Sequence, residues 1–154
     1  MPQHRQLGNQ NIGRDAERLA VITRAALKGG SVLVLAPSFP TLTDTTGTAW
    51  AGSRNPSAST TYSFDANGNG NSWPTTAKAV LVYFAGAWAS VASTTWITGH
   101  QRGQTTILAQ WRAAATNGTM GQSIIPTDSN GDIDLIVGGT APTVCTLRLI
   151  GWLI

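Results

Sequence analysis

The run from Trp73 to Trp88, WPTTAKAVLVYFAGAW, constrains the fold more than any other stretch of this chain. In an extended backbone Val80, Val82 and Phe84 point to one face, and Leu81, Tyr83 and Ala85 to the other. Both sets are apolar, which predicts a strand covered on both sides. A buried helix is the rival explanation of a short apolar run. The β-branched and aromatic residues, with Pro74 before them and Gly86 after them, favour a strand. A central strand of this kind needs neighbours on either side and a layer packed against it.

The chain from residue 31 onward supplies them. Ser31 to Leu35 reads as a short apolar strand stopped by Pro37 and Pro40, and Thr43 to Trp50 as a Thr-rich edge strand. Tyr62 to Asp65 and Thr94 to Thr98 follow the same pattern. Between Thr105 and Trp111 the residues Thr105, Ile107, Ala109 and Trp111 alternate as the buried side of a sheet with one wet face. The segment GHQRG, with His100, is expected to turn the chain. Met120 to Pro126 is another strand; Asp128-Ser129-Asn130-Gly131 is a hairpin signal leading into Ile133, Leu135 and Val137. The last strand, Val144 to Ile154, is expected to turn Cys145, Leu147, Leu149 and Leu153 inward. Short strands separated by Gly and Asn turns predict a mainly β protein: an antiparallel β-sandwich or jelly-roll-like domain of eight or nine strands over residues 31–154.

Residues 1–30 differ. A polar arm is followed from Arg14 to Lys28 by a helical pattern, with Ala16, Leu19, Ile22 and Ala26 three and four apart, and Gly29-Gly30 at its end. The net charge of the chain is +3. It is concentrated here: Arg5, Arg14, Arg18, Arg24 and Lys28 face only Asp15 and Glu17, while the remainder is balanced. The narrow apolar stripe has to be covered, so Arg14, Arg18, Leu19, Ile22 and Arg24 are the expected partner-binding residues of an anchoring or oligomerising segment. No basic run with interleaved aromatics points to nucleic acid.

Charged residues make up 11% of the sequence, against roughly 25% in ordinary soluble proteins. The surface is therefore hydroxyl and amide in character, which suits virion components and carbohydrate binders. Cys145 is the only cysteine, so no intrachain disulfide forms, and its apolar surroundings suggest a buried small hydrophobe. The N-terminus lacks the apolar core of a secretion signal, and no apolar run reaches the ~18 residues of a membrane span. Synthesis in a cytoplasm, with no membrane association, is the expectation.

The inventory for catalysis is thin. Glu17 is the single glutamate, His4 and His100 are the two histidines, and HExxH, GxSxG and phosphate-binding glycine loops are absent. Asp132 and Asp134 share a strand face, about 7 Å apart, and read as a solvated pair with Arg148 as counter-ion. No catalytic residue and no cofactor are assigned. Asp65, Asn67, Asn69 and Gly70 reproduce the opening of a calcium loop, D-x-N-x-N-G, although Thr76 stands where a bidentate Glu belongs. Asp65, Asn67 and Asn69 are the one metal candidate set, against the plainer reading of a Gly/Asn loop. Of the six tryptophans most should be core; Trp73 and Trp88, at the ends of the central strand, are expected to be partly exposed as glycan or interface contacts.

From Tyr62 onward, the polar strand, the sequence WPTTAKAVLVYF, the DSNGDI hairpin and the terminal LRLIGWLI resemble the β-sandwich modules of tailed-bacteriophage virion proteins. These are capsid decoration or cement proteins and the distal domains of head and tail fibres. The resemblance implies a structural, non-enzymatic virion protein, commonly a homotrimer, with the major capsid protein or another virion protein as partner. It also implies an alternative, a receptor- or glycan-binding fibre tip. It carries over no catalytic residue.

Overall fold

The computed structural model describes residues 30–90, 95–113 and 118–154. The helix expected over 14–28, and with it Arg14, Arg18, Leu19, Ile22 and Arg24, lies outside them. Among the described residues every regular element is a strand: β1 (Leu33–Leu35), β2 (Ala51–Arg54), β3 (Thr61–Phe64), β4 (Ala79–Ala87), β5 (Trp96–Gln101), β6 (Ala109–Arg112), β7 (Gly118–Pro126), β8 (Ile133–Val137) and β9 (Val144–Leu153).

They form two antiparallel sheets. The first runs β1-β9-β4-β7, with β2 also on β9; the second runs β3-β8-β5-β6. Apart from β1 to β2 and β5 to β6, each strand is followed by one in the opposite sheet. The run at 73–88 is the centre of the first sheet, because β4 pairs along its whole length with both β7 and β9. Val80, Val82 and Phe84 on its inner face join Phe64, Ile97, Ile125, Ile133, Leu135, Leu147 and Leu149 in one buried cluster. Fully burying each such side chain contributes about 1.5–3 kcal/mol. The sheets approach closely at Gly99 in β5, where a Cβ would stand 2.6 Å from Ile125 Cδ1 of β7. Trp50 anchors one end of the core, edge-on to Tyr62 at 5.2 Å and to Phe64 at 5.5 Å between ring centroids.

Several expectations are corrected. Leu81, Tyr83 and Ala85 are only half-buried, because no described segment covers the outer face of the first sheet. In β9, Cys145, Leu147 and Leu149 do face inward, but Leu153 does not. The register jumps from Leu81↔Gly151 to Val82↔Leu149, leaving Ile150 as an extra residue. Such a bulge reverses the alternation beyond it, so Trp152, not Leu153, packs against the core. The chain does not turn at His100: β5 continues through it, and the ring is buried between Thr98 Oγ1 (2.7 Å) and the Thr106 carbonyl (2.8 Å). In consequence β6 begins only at Ala109, and Ile107 is exposed.

Candidate interaction face

Two charged clusters are satisfied inside the protein. Asp44 is buried and accepts from the Thr46 and Thr48 amides (3.0 and 3.1 Å), the Thr46 hydroxyl, Trp50 Nε1 (3.1 Å) and Arg54 Nη2 (3.1 Å). Burial pushes its pKa up, but the donors outweigh burial and hold it below the usual carboxylate value. The Arg54 guanidinium lies over the rings of Tyr62 (5.0 Å) and Trp50 (5.9 Å), which fixes β2 against the core.

The second cluster centres on Arg102, which follows β5. Its Nη1 is 2.6 Å from Asp65 Oδ1 and 2.5 Å from Asp132 Oδ2, and its Nε is 3.8 Å from Asp134 Oδ1. Burial lowers the Arg102 pKa, and the Asp65 and Asp132 carboxylates more than reverse that. Asp132 also accepts from the Ala66 amide (2.9 Å), and Asp134 from Ser63 Oγ (2.6 Å) and the Gly103 amide (2.9 Å). The two aspartates are thus buried and paired with Arg102, where a solvated pair with Arg148 was expected. Arg102 was missed because its partners are distant in sequence and meet it only through strand pairing.

The Asp65 loop serves the same architecture. Asn71 holds the Thr43 amide and carbonyl and the Asp65 carbonyl, and Asn69 donates to the Asp44 carbonyl (3.1 Å). A cation at Asp65, Asn67 and Asn69 would compete with Arg102 for the Asp65 carboxylate. Among the described residues no group of three or more His, Cys, Asp or Glu side chains is placed to hold a metal ion. Trp73 and Trp88 are 1% and 3% exposed, their indole N–H groups donating to the carbonyls of Gly131 (2.7 Å) and Thr140 (3.0 Å). The expectation that they are partly exposed is corrected: each indole N–H is turned inward to a backbone carbonyl. Cys145 is buried, and burial pushes its thiol up to about 12.

Among the described residues, no segment covers the outer face of the first sheet. Directly opposed residues on paired strands share a face. Arg148 of β9 opposes Thr41 on one side and Tyr83 of β4 on the other, and Tyr83 opposes Gln122 of β7. A polar row, Thr41-Arg148-Tyr83-Gln122, therefore crosses a face that is apolar apart from Thr146, with exposed Leu33, Leu35, Ile124, Met120 and Val144 around it. A depression of about 440 Å³, lined by Phe39, Tyr83, Ala85, Thr146, Arg148 and Ile150, opens on this row. A second, of about 600 Å³, shares Ala85 and Thr146 with it and continues over the small residues Gly52, Gly86 and Gly118 toward Met120.

Two features of this trough stand out physically. Among the described residues the Arg148 guanidinium has no hydrogen-bond or ion-pair partner, whereas Arg54 and Arg102 each have carboxylates. Phe39 is 46% exposed and has φ 47°, a left-handed conformation rarely adopted by a bulky side chain. Strain of this kind costs about 1–3 kcal/mol and concentrates at functional sites. The sequence held one signal for this site: Arg148 is the only charge in a strand that is apolar apart from Thr146, on the face opposite Cys145, Leu147 and Leu149.

Among the described residues no helix is long and apolar enough to cross a membrane. No protein-family model matches the chain, and no curated protein matches it.

Proposed function

We propose that the chain is a structural, non-enzymatic protein of a tailed-phage-type virion: a decoration or cement protein that binds and stabilises the shell as an oligomer, a homotrimer on the resemblance. Residues 1–30 serve as its attachment segment, and the major capsid protein or another virion protein is its partner. The observation that carries this reading is the strand order. A sheet ordered β1-β9-β4-β7 facing one ordered β3-β8-β5-β6, with most successive strands in opposite sheets, supports a jelly-roll winding, an architecture of viral capsid and lectin domains. The hydroxyl- and amide-rich surface and the likeness of residues 62–154 to phage β-sandwich modules support it. Fold alone does not select function, so the test is assembly. The purified protein is expected to run as a trimer in size-exclusion chromatography with light scattering and to saturate assembled capsids; a monomer that ignores capsids would overturn the proposal.

A second reading, a receptor-binding module at a fibre tip, is favoured by the trough and by Arg148, whose guanidinium has no partner among the described residues. In that reading the outer sheet face, rather than Trp73 and Trp88, makes the contact. Host-surface binding that survives removal of residues 1–30 supports it; binding lost with that segment counts against it.

A further inference from the structure

We propose that the trough on the first sheet binds an extended sugar chain bearing carboxylates, with Arg148 as the anchor of one carboxylate. The proposal rests on the second reading and deepens it by naming the ligand. Arg148 presents a planar fork that matches a carboxylate in two parallel hydrogen bonds. It is held on an apolar face with no acidic side chain beside it, so an incoming carboxylate meets no competitor among the described residues.

The groups beside it fit a sugar. Thr41, Tyr83 and Gln122 place a hydroxyl, a phenol and an amide in one row with the guanidinium, neighbours being about 4.5–5.5 Å apart at Cβ. Each both donates and accepts, as sugar hydroxyls do. Phe39, on a left-handed backbone, offers a half-exposed ring to the apolar face of a pyranose. Beyond this row the floor of Ala85, Gly86, Gly52 and Gly118 carries almost no side chain, which leaves room for the chain to continue.

An acidic peptide shares the carboxylate, but the geometry disfavours it. Peptides commonly bind sheets by adding a strand to an edge, and the centre of the row, Arg148 and Tyr83, lies on β9 and β4, whose backbones are paired on both sides. Recognition at the row therefore falls to side chains.

Calorimetry and glycan-array binding of the full chain test the proposal, using uronate oligosaccharides and sialylated glycans as probes and their carboxyl-reduced counterparts as controls. Acidic chains are expected to bind, more weakly at high salt. Carboxyl reduction or Arg148→Gln should each lower affinity at least about ten-fold, the loss of a charge-assisted pair. Phe39→Ala should weaken binding, and Ala85→Leu, which fills the floor without adding a charge, should abolish it. A circular dichroism melt confirms that each variant is folded. Equal binding of neutral chains, unaffected by Arg148→Gln but blocked by Ala85→Leu, overturns the ligand class and leaves the outer face as the contact. Binding of a glutamate-rich peptide, but of no sugar, overturns the sugar in favour of a protein ligand. Sugar binding that persists in Ala85→Leu, or no binding by any acidic sugar or by the peptide, overturns the site itself.

Discussion

Asp44 carries its charge inside the protein because five donors meet it: two from Thr46 and one each from Thr48, Trp50 and Arg54. Its pKa is depressed by them in the folded protein, so its contribution to stability is present above the unfolded value of about 4 and is lost as pH falls through the folded one. Asp44→Asn should cost about 3 kcal/mol at pH 7, the range for breaking a buried pair, and should flatten the acid limb of stability. Urea unfolding at pH 7 and pH 3 checks both effects. Equal destabilisation of protein and variant between those two pH values would contradict the assignment. Cys145 has the opposite character. With its thiol pushed up to about 12, it should react with a thiol reagent at pH 8 only as fast as the protein unfolds; immediate labelling of the native protein would show an accessible sulfur instead.

At the scale of elements, the cross-links between strands hold the expectations that can be broken one at a time. Arg102 joins the end of β5 to Asp65 after β3 and to Asp132 and Asp134 at the start of β8. Arg102→Leu leaves three carboxylates facing one another and should cost about 1–2 kcal/mol, discounted because the guanidinium is partly exposed. The loss should shrink in high salt, and a denaturation series in sodium chloride reads it. Gly131 has φ 81°, and a Cβ there would stand 2.8 Å from Thr75 Cα, so Gly131→Ala should cost about 2 kcal/mol or more by the same unfolding assay.

The strands themselves were largely legible in the sequence, because alternation and Gly/Asn punctuation act locally. β4, β8 and the inward set Cys145, Leu147 and Leu149 follow from period two alone. The bulge at Ile150 does not, since an extra residue is visible only against a partner strand. Gly99 and His100 look like turn residues, yet Gly99 is needed where the sheets touch and His100 is satisfied by neighbours in space. The trough was hidden for a similar reason. Two apolar faces on β4 read as two covered faces, and only the sheet order shows that one of them is outermost.

At the scale of the whole molecule, residues 33–154 form a compact unit with its own core. A chain lacking residues 1–28 should therefore keep a cooperative thermal transition while losing attachment to the shell, and Leu19→Asp with Ile22→Asp should do the same. The measurement that tests the central claim most directly is co-sedimentation of the full-length protein with phage shells assembled without it. The account predicts binding that saturates at a fixed copy number per shell in multiples of three; a protein that stays in the supernatant at every concentration would contradict it.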